Sequence, residues 1–282
     1  MGVRIADHDG VSGDTSDGVE TAVLDHPQRF HRVSVLGTGI SAINLKDAIS
    51  AIQQWISSRE SVYVTVAPAH AVMDAYQDKQ VRRIMNASGL TTPDGMAIVW
   101  LLRLQGHRHV SRVYGPDLML SLCRHGLERG IRHFLYGGDK GVVEELSASL
   151  LTRFPGLQIV GTHTPPFAEL TEKEDRQAVE SINACNPDIV WVGLSTPKQE
   201  RWMAAHLGRI EAPVMIGVGA AFDFLSGRKR QAPRWMQRAG LEWLFRLASE
   251  PRRLWPRYRR YPLFVLLAIA QLLGLKHYPL DS

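Results

Sequence analysis

Three short stretches of the chain bring reactive side chains next to glycine or proline. In Thr92-Pro93-Asp94-Gly95-Met96 a lone carboxylate stands just ahead of an apolar run with helix-face spacing. Asp94 has two readings. As a turn residue or helix N-cap it accepts N–H groups of the first turn. As a carboxylate held against a glycine, it stands where a substrate hydroxyl can come close enough to lose its proton. Arg112 leads through Val113-Tyr114-Gly115-Pro116-Asp117 into another helix start, where a guanidinium fork suits a phosphate. The third stretch is an unbroken apolar run after Pro187 that passes through Gly193-Leu194-Ser195-Thr196 into Pro197-Lys198-Gln199-Glu200. This reads as a buried strand followed by a helix that Pro197 can open. Ligands bind at such edges of open α/β sheets, and free helix N–H groups favour phosphate there. The plainer alternative is an ordinary connection with Lys198, Gln199 and Glu200 in solvent.

The elements that must position these groups alternate between strand and helix. His31 to Leu36 reads as a first strand, followed by Gly37-Thr38-Gly39-Ile40-Ser41-Ala42, a formal match to the GxGxxA dinucleotide fingerprint. The next strand, Ser61 to Val66, runs into Ala67-Pro68-Ala69-His70 without the carboxylate that would hold a ribose. Nicotinamide binding is therefore not supported, and a tight turn leading to a helix over residues 45–57 is expected instead. Thr65 and His70 reach the presumed ligand edge, as substrate contacts or as packing and capping residues. A helix from Met73 to Met85 follows.

From Ile131 the rhythm is regular. A strand over Ile131 to Tyr136 meets Gly137-Gly138, either a phosphate cradle or an ordinary glycine-rich turn. A helix follows over residues 142–154, then a strand over 157–161. Thr171 opens the next helix, with Glu174 placed for a capping box, and a last strand is expected over Pro213 to Asp223. The pattern predicts a doubly wound, Rossmann-like parallel α/β sheet flanked by helices. There is no GxxxxGK[ST], and His107 and His109 have no acidic or thiol neighbour, so neither a P-loop nor a metal site is expected.

Charge divides the chain. Residues 1–30 are acidic with little apolar pattern and read as a disordered tail and not a signal peptide, ahead of a core over 31–227. The net charge of +5 is concentrated beyond Gly227, where arginines interleave with Trp and Tyr. That asymmetry predicts an anionic partner. The apolar run Leu263 to Leu275 is shorter than the ~20 residues a spanning helix needs. Residues 228–282 therefore read as a basic helical appendage lying on an anionic leaflet, or as a helix pair packed on the core. No nucleic-acid-binding pattern is present. Cys123 and Cys185, far apart, suggest no disulfide and fit a reducing cytoplasm.

Taken in order, Thr92-Pro93-Asp94-Gly95-Met96, Arg112-Val113-Tyr114-Gly115-Pro116-Asp117-Leu118, Tyr136-Gly137-Gly138, Pro187 to Leu194, Pro197-Lys198-Gln199-Glu200, Gly217 to Asp223 and Leu241-Glu242-Trp243-Leu244-Phe245-Arg246-Leu247 resemble the WecG/TagA/CpsF glycosyltransferases. The resemblance covers roughly residues 33–260. It implies an inverting, metal- and cofactor-independent transfer of a hexose from a UDP-sugar to a polyprenyl-diphosphate-linked saccharide. The implied setting is the cytoplasmic face of the bacterial inner membrane, with the enzyme peripheral. Asp94 would be the base, with Arg112, Gln199 and Thr65 lining the site. Gly95, Gly137, Gly138, Pro197, Lys198, Glu200 and Asp223 complete the expected catalytic and substrate-binding set. Arg246, Arg252, Arg253 and Arg257 would meet the lipid diphosphate. Thr65-Val66-Ala67 departs from a frequent Thr-x-Asn, so a neutral hexose for an exopolysaccharide is expected over an amino sugar. A non-catalytic sugar-nucleotide or lipid-diphosphate module is the alternative, and a homo-oligomer is compatible with either.

Overall fold

The computed structural model describes residues 30–166, 168 and 170–280. Apart from Phe30, the acidic segment expected at the start lies outside the described residues. The first two strands, β1 (Arg32–Val35) and β2 (Thr38–Ser41), form an antiparallel hairpin and not the opening of the main sheet. Leu36 and Gly37 both have positive φ, 53° and 87°. That is the requirement of a two-residue type I′ loop, so the GxGxxA match is a strand reversal and not a strand-to-helix turn. The helix that follows, α1 (Leu45–Ser58), starts at Asn44, whose side chain makes a reciprocal capping box with Asp47.

The main sheet begins at β3 (Val62–Ala67) and continues through α2 (Ala69–Gln77), α3 (Lys79–Ala87) and β4 (Leu90–Pro93). The single helix expected over residues 73–85 is two, because the Asp78 carboxylate accepts the N–H groups of Gln80 and Val81 and restarts the chain as α3. After α4 (Met96–Leu104) and α5 (Gly115–Gly126) come β5 (Arg132–Gly137), α6 (Val142–Arg153), β6 (Gln158–His163) and α7 (Glu172–Ala184), the last with the expected Thr171/Glu174 capping box. Then follow β7 (Ile189–Gly193), α8 (Lys198–His206), β8 (Val214–Gly217) and α9 (Ala221–Leu225). The strand expected up to Asp223 thus ends at Gly217, and Asp223 is helical.

The sheet order is β4-β3-β8-β7-β5-β6, with every neighbouring pair parallel. The winding changes direction between β4 and β5, so the carboxyl ends of β3, β8 and β7 border the crevice where such sheets take ligands. Both faces are covered. On β7, Ile189 and Trp191 enter one apolar cluster while Val190 and Val192 enter another. That double burial is why this strand is apolar at every position.

Four further helices complete the chain: α10 (Arg234–Arg238), α11 (Glu242–Ser249), α12 (Pro251–Tyr258) and α13 (Tyr261–Leu272). Phe264, Leu267 and Ala268 of α13 join the cluster built by the hairpin and α2. Gln271 donates to the Ser34 carbonyl at 2.7 Å and accepts from the Leu36 N–H at 3.0 Å. Of the two expectations for this segment, packing on the core is observed for one face of α13. No helix among the described residues is long and apolar enough to cross a membrane.

β7 ends where space is tight. A Cβ on Gly193 would lie 2.6 Å from the ring of Phe222, itself 1% exposed. Gly193→Ala is expected to cost about 1–3 kcal/mol through overpacking. This would be read as a lower urea midpoint at unchanged m; a midpoint equal to wild type would show that the ring moves aside freely.

Candidate active site

Asp94 follows the last residue of β4, and its N–H is held by the Ala67 carbonyl at the end of β3. It does not cap the next helix. Gly95, at φ 86°, occupies that position, and no side chain caps α4. The carboxylate instead accepts from Arg112 Nε at 2.9 Å. The contact exists because the Val113 N–H donates to the Pro93 carbonyl at 2.9 Å, which fastens the segment before α5 to the end of β4. Arg112 also donates through Nη2 to Glu242 Oε2 at 2.6 Å, and its guanidinium lies 3.9 Å over the Tyr114 ring. The Tyr114 hydroxyl donates to the other Glu242 oxygen at 3.1 Å.

Burial raises the Asp94 carboxyl above the usual carboxylate range; Arg112 pulls it back and Glu242 pushes it further up. For Arg112, burial acts against the charged form, but the two carboxylates outweigh it and the group stays cationic. His70, at the start of α2, and Arg246, Tyr258 and Tyr261 line the same cleft. Burial, helped by Arg257 and Arg246, lowers the His70 pKa to about 3, so its imidazole is neutral. His70 Nδ1 and Arg246 Nε are shielded from solvent without a protein partner.

The turn after β7 lies at the same carboxyl edge of the sheet, but none of its residues lines the Asp94 cleft. Gln199 and Glu200 are 2% and 0% exposed, which overturns the solvated alternative for both; Lys198 is exposed. Glu200 Oε1 accepts from Gln199 Nε2 and from Thr196 Oγ1, each at 3.0 Å. Gln199 Oε1 and Glu200 Oε2 remain buried and unpartnered. Gly217 makes room for this side chain, since a Cβ there would be 3.0 Å from Gln199 Nε2. Pro197 is the residue before the first helical one, a position short of that expected.

Other expected contacts are placed differently. Thr65 is fully buried inside the sheet, its hydroxyl 3.5 Å from the Leu90 carbonyl. The Gly138 N–H is taken by the Gly193 carbonyl at 3.0 Å, and a Cβ on Gly137 would lie 2.7 Å from Gly193. These glycines therefore serve a close strand approach, and the Gly138 amide is engaged and not turned to a phosphate. Asp223 pairs with Lys229 at 2.7 Å. Among the four arginines expected to act together, Arg246 lines the cleft and Arg257 donates to the Thr196 carbonyl at 3.3 Å. Arg252 and Arg253 are exposed, the latter on Glu250. Glu242, Tyr258 and Tyr261 are cleft residues that sequence reasoning missed; the only signal for Glu242 was its place in Leu241-Glu242-Trp243.

Burial raises the Glu200 carboxyl, outweighing the hydrogen bonds from Gln199 and Thr196. The folded chain thus holds this proton to higher pH than the unfolded chain. The associated stability is complete below about pH 4.3 and is lost as pH rises through the folded value. Glu200→Gln lacks this titration, so its urea midpoint relative to wild type should improve between about pH 4 and pH 8. A difference independent of pH would contradict it.

Over residues 33–278 the chain matches the sequence profile of the Glycosyl transferase WecG/TagA/CpsF family. The N-acetylglucosaminyldiphosphoundecaprenol N-acetyl-beta-D-mannosaminyltransferase of Bacillus subtilis (strain 168) is 28% identical over 229 residues, covering 81% of this chain and 87% of that protein. The protein of the same name from Bacillus spizizenii (strain ATCC 23059 / NRRL B-14472 / W23) is 29% identical over 211 residues, 75% and 80% of the two chains. The one from Staphylococcus aureus (strain MW2) is 25% identical over 236 residues, 83% and 91%. The profile spans the Asp94 cleft, the turn after β7 and the helices beyond β8, and the chain belongs to the WecG/TagA/CpsF family of glycosyltransferases.

Proposed function

We propose that this glycosyltransferase moves a hexose from a UDP-sugar to a polyprenyl-diphosphate-linked saccharide, with inversion, in the synthesis of an exopolysaccharide or other cell-surface glycan. The observation that carries the reading is a buried carboxylate, Asp94, held by Arg112 at the carboxyl edge of a parallel sheet. Arg112 occupies Oδ1, so Oδ2 is the oxygen that accepts the proton of the acceptor hydroxyl. That hydroxyl oxygen bonds to the anomeric carbon as the bond from the carbon to the donor's phosphate oxygen breaks, and UDP leaves with the electron pair. Arg112, Arg246 and Arg257 supply positive charge for the leaving diphosphate or for the lipid diphosphate. The names of the relatives, which specify a diphosphoundecaprenol-linked acceptor, support the acceptor class. Ala67, standing where many members carry an amide, supports a neutral hexose as donor.

In this reading residues 31–227 are the catalytic core, and 228–282 deliver both cleft residues and membrane contact at the cytoplasmic face. The exposed side of α13 supports the second role. Leu263, Val265, Leu266, Ile269 and Leu272 are outside while Phe264, Leu267 and Ala268 are inside. A solvent-facing apolar stripe beside many arginines suits an anionic leaflet.

Mixing candidate UDP-sugars with a short-chain lipid-diphosphate saccharide should release UDP, and Asp94→Asn should remain folded but lose about 10²–10⁴-fold in turnover. Near-normal turnover by the folded variant would remove Asp94 from the mechanism; saturable binding of donor with no UDP release by wild type would select the non-catalytic module. For the membrane, Leu266→Glu with Ile269→Glu should leave folding intact and weaken binding to anionic vesicles by about tenfold or more, from the apolar burial lost. Unchanged vesicle binding would refute docking through this face.

A further inference from the structure

The proton transfer assigned to Asp94 leaves Glu242 without a role, although it is built into the same cluster. Both of its oxygens are engaged, one by Arg112 and one by the Tyr114 hydroxyl. Its side chain is 13% exposed, the same as that of Asp94. A single guanidinium is therefore shared between two shielded carboxylates. An arginine paired with Asp94 alone would make it a poor base, because an adjacent cation favours the ionised carboxylate. A second carboxylate on the same guanidinium takes up part of that attraction and adds repulsion of its own.

We propose that Glu242 is a positioning residue for the reaction: it holds Arg112 side-on to Asp94 and, by its charge, keeps Asp94 basic enough to take the acceptor proton. This rests on the assignment of Asp94 as the base. The neighbours support it by elimination. Around Asp94 stand His70 from α2, Tyr114 ahead of α5, Arg246 from α11, Tyr258 from α12 and Tyr261 from α13. The imidazole is neutral, and burial holds all three phenols above their ordinary range, so none of them adds negative charge. Arg246 acts in the same direction as Arg112. Glu242 is thus the one other acidic side chain among the described residues lining the cleft. Because it is the first residue of α11, the basicity of Asp94 depends on how the C-terminal helices seat against the end of β4.

The test uses the full chain and the pH dependence of kcat/KM, followed by UDP release. Glu242→Gln keeps the size and hydrogen-bonding reach of the side chain but removes its charge. The acidic limb of the profile should move to lower pH. The plateau should fall by much less than the ~10²–10⁴-fold expected for loss of the base itself. An acidic limb that stays where wild type has it, with or without a slower plateau, overturns the proposal, since a merely structural contact would lower rate and leave the limb in place. Should Glu242→Gln not fold, ¹³C titration of the two carboxyl carbons in wild type decides the matter. Coupled groups titrate in steps visible at both sites. A single step at Asp94 that ignores the ionisation of Glu242 overturns it equally. Failure of the underlying assignment is distinguishable: near-normal turnover by Asp94→Asn removes the base, whereas an inactive Asp94→Asn with an unmoved limb in Glu242→Gln removes only the role of Glu242.

Discussion

A guanidinium held between two carboxylates is the constraint on which the arrangement of this molecule turns. Arg112 meets Asp94, 18 residues earlier, and Glu242, 130 residues later. Partly buried charges are costly unless each has partners of good geometry, and even then their net contribution to stability is small. The cluster is therefore better understood as a requirement that the fold satisfies than as a source of stability. Parallel pairing of β3 with β4 brings Asp94 to the carboxyl edge. The Val113 to Pro93 hydrogen bond sets Arg112 beside it, and the start of α11 closes the triad from outside the sheet.

The helices beyond β8 touch both the Asp94 cleft and the turn after β7. Glu242 reaches Arg112, while Arg257 reaches the Thr196 carbonyl in the turn that also buries Gln199 and Glu200. Lys229 joins Asp223 of α9 to Glu250, just ahead of α12. At the far end α13 is sewn to the first hairpin by Gln271. The hairpin, which resembles a nucleotide-binding turn in one dimension, is thus a docking platform for the last helix. One consequence is that α13 divides its apolar residues between an inner face that packs and an outer face that remains in solvent.

The turn after β7 illustrates how a polar cluster is accommodated in a core. Glu200 has no cationic partner among its hydrogen bonds and is held by Thr196 and Gln199. Burial raises its carboxyl above the usual range, because a neutral acid with one oxygen unpartnered is cheaper to bury than a carboxylate. The small residues at the end of β8, Gly217 and Gly219, leave the space that Gln199 fills. Of the two readings of this stretch, the solvated connection holds for Lys198, whereas Gln199 and Glu200 are packed.

The alternation of apolar runs with amphipathic segments already determined the parallel α/β sheet, because strands covered on both faces and helices covered on one leave different periodicities. Capping chemistry placed the start of α7, and proline-aspartate-glycine ahead of an apolar helical run made Asp94 a candidate for chemistry as well as for a turn or cap. These signals act over a few residues. The same locality explains the errors. Leu36 and Gly37 close a hairpin because the residues after them extend and pair backwards, and Asp78 splits a helix by capping where periodicity ran on. Gly137 and Gly138 looked like an anion cradle, but a neighbouring strand uses their space and one of their amides. The partnership of Arg112 with Glu242 had no local trace at all. Ion pairs are decided by where elements meet, and only the packing of α11 against the end of β4 brought those charges within 2.6 Å.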